Sequence, residues 1–255
     1  MNLADFFLFL SLGLAAAILG ALMGVGGGFL MVPSFIFLGF TKDYAPVLSL
    51  FVIIFVASSA TTRYAREQLI NYRLGLIYAP FSIAGAFMGA YLLHVISNLV
   101  FKVIFSGLII VVGGRLILKK DQSDEISHER ESRWSYYWVI IWGFLTGMAA
   151  SFVGIGGGLI AVPVIHLFFM ETIHVAIATS LFIMIFTSSF ATLQHFLLGY
   201  MDITLLLTGL IVAIGAITGS QIGSKIQTRL KGKTLQRMFG GFMIGIAIPL
   251  LWLGA

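Results

Sequence analysis

The 255-residue chain contains no cysteine. Disulfides, thiolate metal ligands, cysteine nucleophiles and iron–sulfur clusters are therefore excluded together. Charge is also scarce, because Asp, Glu, Lys and Arg make up only 10% of the residues, whereas 59% are hydrophobic and the mean hydropathy is +1.04. A water-soluble domain could not cover its surface with so few polar side chains. The composition predicts an integral membrane protein, and we expect no cofactor, no metal site and no nucleic-acid partner.

Long uncharged stretches support this interpretation. Several of them equal or exceed the roughly 18 to 20 residues that cross a bilayer core. Nothing in Met1 to Asp5 resembles the basic start of a cleavable signal, so we expect the first stretch to be retained. We predict an all-α polytopic membrane protein with eight to ten transmembrane segments. Among the uncharged stretches are residues 6–41, 44–62, 74–93, 134–170, 203–224 and 238–255.

One motif occurs twice, 130 residues apart: Gly24-Val25-Gly26-Gly27-Gly28 followed by Pro33, and Gly154-Ile155-Gly156-Gly157-Gly158 followed by Pro163. Each copy lies in a stretch that would form a helix of about 54 Å, against a hydrocarbon core of about 30 Å. A single glycine pair in a membrane helix usually serves helix packing. Two copies in overlong stretches instead predict a helix that breaks at the glycines, with the proline in the first turn of a short second helix.

The duplication divides the chain into a first membrane repeat at 1–118, a polar connector at 119–133 and a second repeat at 134–255. Ser49 and Ser180 occupy matching positions, and the sequence aligns Gly85 and Gly89 with Gly215 and Gly219. In this alignment Leu93 replaces the last glycine of the second repeat, Gly223. We expect the connector, which carries both acidic and basic residues, to be a solvated loop.

Basic residues indicate the orientation of the two repeats. They form three clusters, which the positive-inside rule places in the cytoplasm. Because the clusters fall in non-equivalent loops of the two halves, we predict inverted repeats in the inner membrane with both termini outside. The clusters are Arg63, Arg66 and Arg73; Arg115, Lys119, Lys120, Arg130 and Arg133; and Lys225, Arg229, Lys231, Lys233 and Arg237.

The two broken helices predict a site for a small anion. Exposed N–H groups at the glycines, with the positive ends of two short helices, form an anion-binding nest. No Asp or Glu lies inside a predicted span, which disfavours a cation. Hydroxyl groups near the breaks either bind the anion or bond to their own helix. The candidate binding residues are Gly24, Gly26, Gly27, Gly28, Ser49, Gly154, Gly156, Gly157, Gly158, Thr179 and Ser180.

Three ionisable residues have two interpretations each. Arg63 either gathers anions at a cytoplasmic vestibule or snorkels to the interface, and Gln194 matches it in the second repeat. His195 either meets the leaving anion or anchors its helix at the outer surface. His166, on the second short helix, is either functional or bonded to a nearby carbonyl. Arg63, Gln194 and His195 join the candidate substrate-binding residues.

These residues resemble those of the TauE/SafE family of sulfite exporters. The resemblance rests on the paired glycine motifs with their prolines, on Ala178-Thr179-Ser180-Leu181, on His195 with Gly199, and on the glycines at 215, 219 and 223. It implies a permease that exports sulfite, sulfoacetate or related organosulfonates through a bacterial inner membrane. Pro46-Val47-Leu48-Ser49 departs from the pattern of the second repeat. The alternative is an uptake permease for another small anion, such as thiosulfate, sulfate or a carboxylate.

Other classes of protein fit the residues less well. A relative that handles thiosulfate or sulfide would be expected to use cysteine. An intramembrane enzyme needs a nucleophile beside a base, but Ser189 and His195 are six residues apart and lie on different faces of a helix. A membrane scaffold has no need of two broken helices. We therefore expect a transporter that is not an enzyme, with the bilayer and a small anion as its partners, and a homodimer is compatible with the sequence.

Overall fold

The computed structural model describes residues 3–41, 43–92, 114 and 136–252. The predicted connector at 119–133 and most of the end of the first repeat lie outside this part. Every regular element in the described residues is a helix, which confirms an all-α fold. The helices are α1 (Leu3–Met23), α2 (Gly28–Phe37), α3 (Tyr44–Arg66), α4 (Tyr72–Leu92), α5 (Tyr136–Val153), α6 (Gly158–Leu167), α7 (Ile173–Leu197), α8 (Ile203–Gln227) and α9 (Gly232–Trp252).

Five described helices are long and apolar enough to cross a membrane: Leu3–Met23, Tyr44–Arg66, Tyr72–Ala90, Ile173–Leu197 and Leu205–Gln227. Shorter apolar helices cover Gly28–Phe37, Trp138–Val153 and Gly158–Leu167. Large apolar side chains stand on the outer surface, with Phe37 93% and Leu197 75% exposed. In a bilayer such a surface contacts lipid, so the buried core and the outer surface are both apolar.

The two predicted helix breaks are present, and each forms a hairpin. The Phe9 and Phe40 rings, at the start of α1 and just after α2, have centroids 6.1 Å apart. The corresponding pair in the second repeat is Trp142, in the first half of α5, and Phe168, just after α6; their ring centroids are 4.9 Å apart. Each short helix therefore returns toward the end where the preceding long helix begins.

The sequence predicted that each proline lies in the first turn of its short helix. The structure shows that neither proline does. Pro33 and Pro163 are each the sixth residue of a ten-residue helix. The short helices begin earlier because Gly27 and Gly157 take the left-handed conformation and start a helix at the next residue. The missing proline N–H then falls in the second turn.

The long helices form two sets that run in opposite directions. Cβ atoms built on Gly215, Gly219 and Gly223 of α8 would meet the carbonyls of residues 10, 14 and 18 of α1 in ascending order, so α1 and α8 are parallel. Cβ atoms on Gly85 and Gly89 of α4 would likewise meet the carbonyls of residues 144 and 148 of α5, so α4 and α5 are also parallel. We call the end where α1 and α8 begin side A, and the opposite end, where α4 and α5 begin, side B.

These contacts correct the sequence alignment of α4 with α8. A Cβ on Gly85 would meet the Phe144 carbonyl, and a Cβ on Gly219 would meet the carbonyl of Leu14, which corresponds to Phe144. Gly85 and Gly89 therefore match Gly219 and Gly223, about one helical turn away from the alignment based on spacing. The predicted replacement of the last glycine by Leu93 thus results from the alignment; in the corrected register the departure is at the other end, where Phe81 matches Gly215.

Candidate anion site at the two glycine turns

The two glycine turns have nearly identical backbones. Gly24, Gly26 and Gly27 have φ angles of 72°, 73° and 85°. The matching glycines 154, 156 and 157 have φ angles of 74°, 73° and 86°. L-residues with a side chain rarely adopt such angles, which explains why both turns are built from glycine.

The turns touch each other inside the molecule. A Cβ on Gly28 would lie 2.6 Å from the Gly154 carbonyl oxygen, and a Cβ on Gly158 would collide with the Gly24 carbonyl oxygen. Each half-helix therefore begins against the turn of the other repeat. Only residues without a side chain allow this approach of backbone to backbone.

Apolar side chains fill the space beside this contact. Ile53 of α3 and Met184 of α7 occupy matching positions, and a Cβ added to either Gly26 or Gly156 would meet both of them. Both side chains are at most 1% exposed. The polar backbone of the turns thus lies in an apolar interior, where electrostatic interactions are strong and unpaired polar groups are costly.

Neither half-helix has a side-chain cap. Gly27 and Gly157 are the N-cap residues, and no side chain accepts a hydrogen bond from the first N–H groups. The carbonyls of these two glycines accept the third and fourth N–H groups of their helices. The first two N–H groups of each helix have no acceptor within the helix, because no helical residue lies far enough before them. Two positive helix ends therefore meet in one interior region, an arrangement that favours an anion.

Ser49 and Ser180 bridge the two repeats. The Ser49 Oγ donates to the Gly154 carbonyl at 2.8 Å, and the Ser180 Oγ lies 2.9 Å from the Gly24 carbonyl oxygen. Each serine thus holds the turn of the opposite repeat. In this structure the hydroxyl protons are directed at carbonyl groups, and a direct contact of either serine with an anion stays a prediction.

Thr179 belongs to a polar network that the sequence did not indicate. Its Oγ1 accepts a hydrogen bond of 3.0 Å from the backbone N–H of Asn71, at the start of α4. The Asn71 side chain in turn donates to the Glu171 carboxylate at 2.7 Å. The network lies on side B, where α4 and α7 begin. Its members are about 100 residues apart in the chain, so no local spacing could have revealed it.

Arg63 and Gln194 lie away from the turns. Arg63 is ten residues beyond Ile53 on α3, or about 15 Å along the helix axis. It pairs with Glu67 at 3.5 Å with 28% of its side chain exposed. Gln194 is ten residues beyond Met184, and its side chain donates to the Phe87 carbonyl at 3.2 Å. Neither residue is brought together with the glycines in this conformation.

The two histidines have different surroundings. His195 is 5% exposed and its ring centroid lies 6.2 Å from that of Tyr200. It is eleven residues beyond Met184, which is three helical turns along the same face of α7. His166 places Nδ1 2.7 Å from the Glu171 carbonyl oxygen, which matches the expectation of a bond to a nearby carbonyl.

The chain belongs to the family described as sulfite exporter TauE/SafE, whose model matches residues 9–250. It is 30% identical to the probable membrane transporter protein YunE of Bacillus subtilis (strain 168), over 98% of both chains. It is 27% identical to the probable membrane transporter protein MJ0441 of Methanocaldococcus jannaschii, over 92% of this chain and 91% of that protein. No solved structure matches the chain. The protein is therefore a membrane transporter of the TauE/SafE family.

Proposed function

We propose that the protein exports small sulfur-containing anions, such as sulfite or organosulfonates, across the cytoplasmic membrane. The observation that carries this proposal is the meeting of two uncapped helix N-termini in an apolar interior. The family description supports sulfite as the substrate. The anion would bind at the glycine turns, where backbone N–H groups and helix dipoles supply attraction without a buried cationic side chain.

We also propose that the repeats are inverted in the membrane, with side B in the cytoplasm. The opposite directions of α1 and α5, which are matching helices, support an inverted arrangement. Side B carries the basic residues around the α3–α4 and α8–α9 loops, which supports its cytoplasmic location. Discontinuous helices from inverted repeats that meet midway are typical of secondary transporters.

Reconstituted protein tests the proposed activity. Proteoliposomes loaded with sulfite under anaerobic conditions should release it faster than protein-free liposomes, and a sulfonate such as sulfoacetate should compete. Sulfate, thiosulfate and acetate serve as comparison anions in the same assay. Transport of a comparison anion without transport of sulfite or a sulfonate would contradict the proposal and favour the alternative permease.

A further inference from the structure

The second glycine turn has more unpaired polar groups than the first. In the first turn, the N–H groups of Val25 and Gly26 both donate to the Gly20 carbonyl, at 2.9 and 3.2 Å. The matching N–H groups of Ile155 and Gly156 have no hydrogen-bond partner among the described residues. Both residues are buried. Buried N–H groups without a partner are rare in native structures, so these two require an explanation.

Buried hydroxyl groups without a partner in the described residues also occur on the face of α7 that contacts the turns. Ser188 is 0% and Thr192 is 7% exposed, and their hydroxyl groups have no hydrogen-bond partner in the described part of the chain. They follow Met184 by four and eight residues, so the three side chains share one face of α7. Met184 contacts the glycine turns, and the hydroxyls therefore extend from the turns toward side A.

Ser151 adds a third such hydroxyl. It lies in the last turn of α5, is 1% exposed and also lacks a partner among the described residues. In the first repeat the matching residue is Ala21, whose carbonyl accepts a hydrogen bond of 2.8 Å from Tyr64. Tyr64 matches His195. From this correspondence we expect Ser151 to lie near the His195 end of the α7 face.

The N-terminus of α6 faces the same side of the turns as these hydroxyl groups. The helix runs from the turn back toward side B, so its first N–H groups and its positive dipole end face side A. In the first repeat the positions that match Ser151 and Ser188 are Ala21 and Ala57. Only Thr61, which matches Thr192, carries a hydroxyl, and that hydroxyl also has no hydrogen-bond partner among the described residues. The two halves are therefore chemically unequal around the two turns.

We propose that a single anion subsite lies at the second turn, formed by the N–H groups of Ile155 and Gly156 and the hydroxyls of Ser151, Ser188 and Thr192. This inference rests on the proposed anion transport and assigns it to one of the two repeats. Neutral donors on several sides suit a small oxyanion, since each oxygen can accept hydrogen bonds without a buried countercharge. Ser49 and Ser180 hold the turns in place through their bonds to the Gly154 and Gly24 carbonyls.

Binding measurements on purified protein test this subsite. Sulfite, sulfate, thiosulfate and acetate are titrated at constant ionic strength and followed by calorimetry. Ser188→Ala and Thr192→Val should each weaken binding of the bound anion about tenfold, because a hydrogen bond to a charged acceptor is lost. Thr61→Val, the matched change in the first repeat, should leave the affinity within twofold of the wild type. Equal effects of Thr61→Val and Thr192→Val would overturn the assignment.

A second measurement separates binding from folding. Because the Ser188 hydroxyl has no hydrogen-bond partner among the described residues, Ser188→Ala should leave the melting temperature of the ligand-free protein unchanged or raise it. A lowered melting temperature with unchanged anion affinity would show a structural role and overturn the subsite. Wild-type anion affinity in both Ser188→Ala and Thr192→Val would also overturn the subsite, but it would not contradict the proposed anion transport. If the wild type binds none of the anions, the proposed function fails and the subsite fails with it.

Discussion

At the residue scale, glycine serves two separate purposes in the turns. Gly27 and Gly157 provide left-handed backbone at φ angles of 85° and 86°. Gly28 and Gly158 have helical backbone but allow the turn of the other repeat to approach. The duplicated motif predicted the broken helices because backbone conformation depends mainly on local sequence. It did not predict the direct contact between the turns, which depends on how the repeats pack.

Replacement of a turn glycine should abolish transport without preventing membrane insertion. In Gly27→Val or Gly157→Val, a branched side chain would have to adopt a φ angle near 85°, and it would cover the N–H groups of the turn. Sulfite efflux from proteoliposomes, normalised to the amount of inserted protein, is the measurement. Gly241→Val is the control, because a Cβ at this position has no neighbour within 4 Å. Efflux at the wild-type rate from both turn variants would refute the assignment of the site.

At the element scale, close packing of parallel helices holds the two halves together. Backbone carbonyl groups of α1 occupy the space that a Cβ atom on the glycines of α8 would need. Carbonyl groups of α5 occupy the corresponding space beside the glycines of α4. The sequence indicated small residues at these interfaces, but spacing alone aligned α4 with α8 one turn out of register. Helix rotation and register depend on contacts between distant segments. The Asn71–Thr179 hydrogen bond was missed for the same reason.

The corrected register makes a paired prediction about stability. Gly85→Ala and Gly219→Ala should each destabilise the protein by about 1 to 3 kcal/mol, because the added methyl group collides with a helix backbone that cannot move freely. Gly245→Ala should instead be neutral or stabilise the protein by about 0.5 to 1 kcal/mol, since a Cβ there meets nothing within 4 Å. Equilibrium unfolding in mixed micelles measures the three changes. Tolerance of alanine at position 85 or position 219 would contradict the close approach of the helices at these glycines.

At the scale of the whole molecule, the absence of cysteine makes orientation directly measurable. Thr41→Cys places a thiol on side A, and Lys231→Cys places one on side B; both positions are exposed. In intact cells a membrane-impermeant maleimide should label the cysteine at 41 and should reach the cysteine at 231 only after permeabilisation. The wild type is the control, because it has no thiol. The reverse labelling pattern would place side B outside and contradict the proposed topology.

The membrane potential provides the simplest driving force for the proposed export. Asp and Glu are absent from the predicted spans, and a potential of 100 mV, negative inside, favours the exit of each negative charge by about 2.3 kcal/mol. Anion flux from liposomes should therefore follow an imposed potassium-diffusion potential and persist without a pH gradient. The competing mechanism couples flux to protons through His195 or His166. Flux that requires a pH gradient and is lost in His195→Ala or His166→Ala would establish that mechanism and exclude transport driven by potential alone.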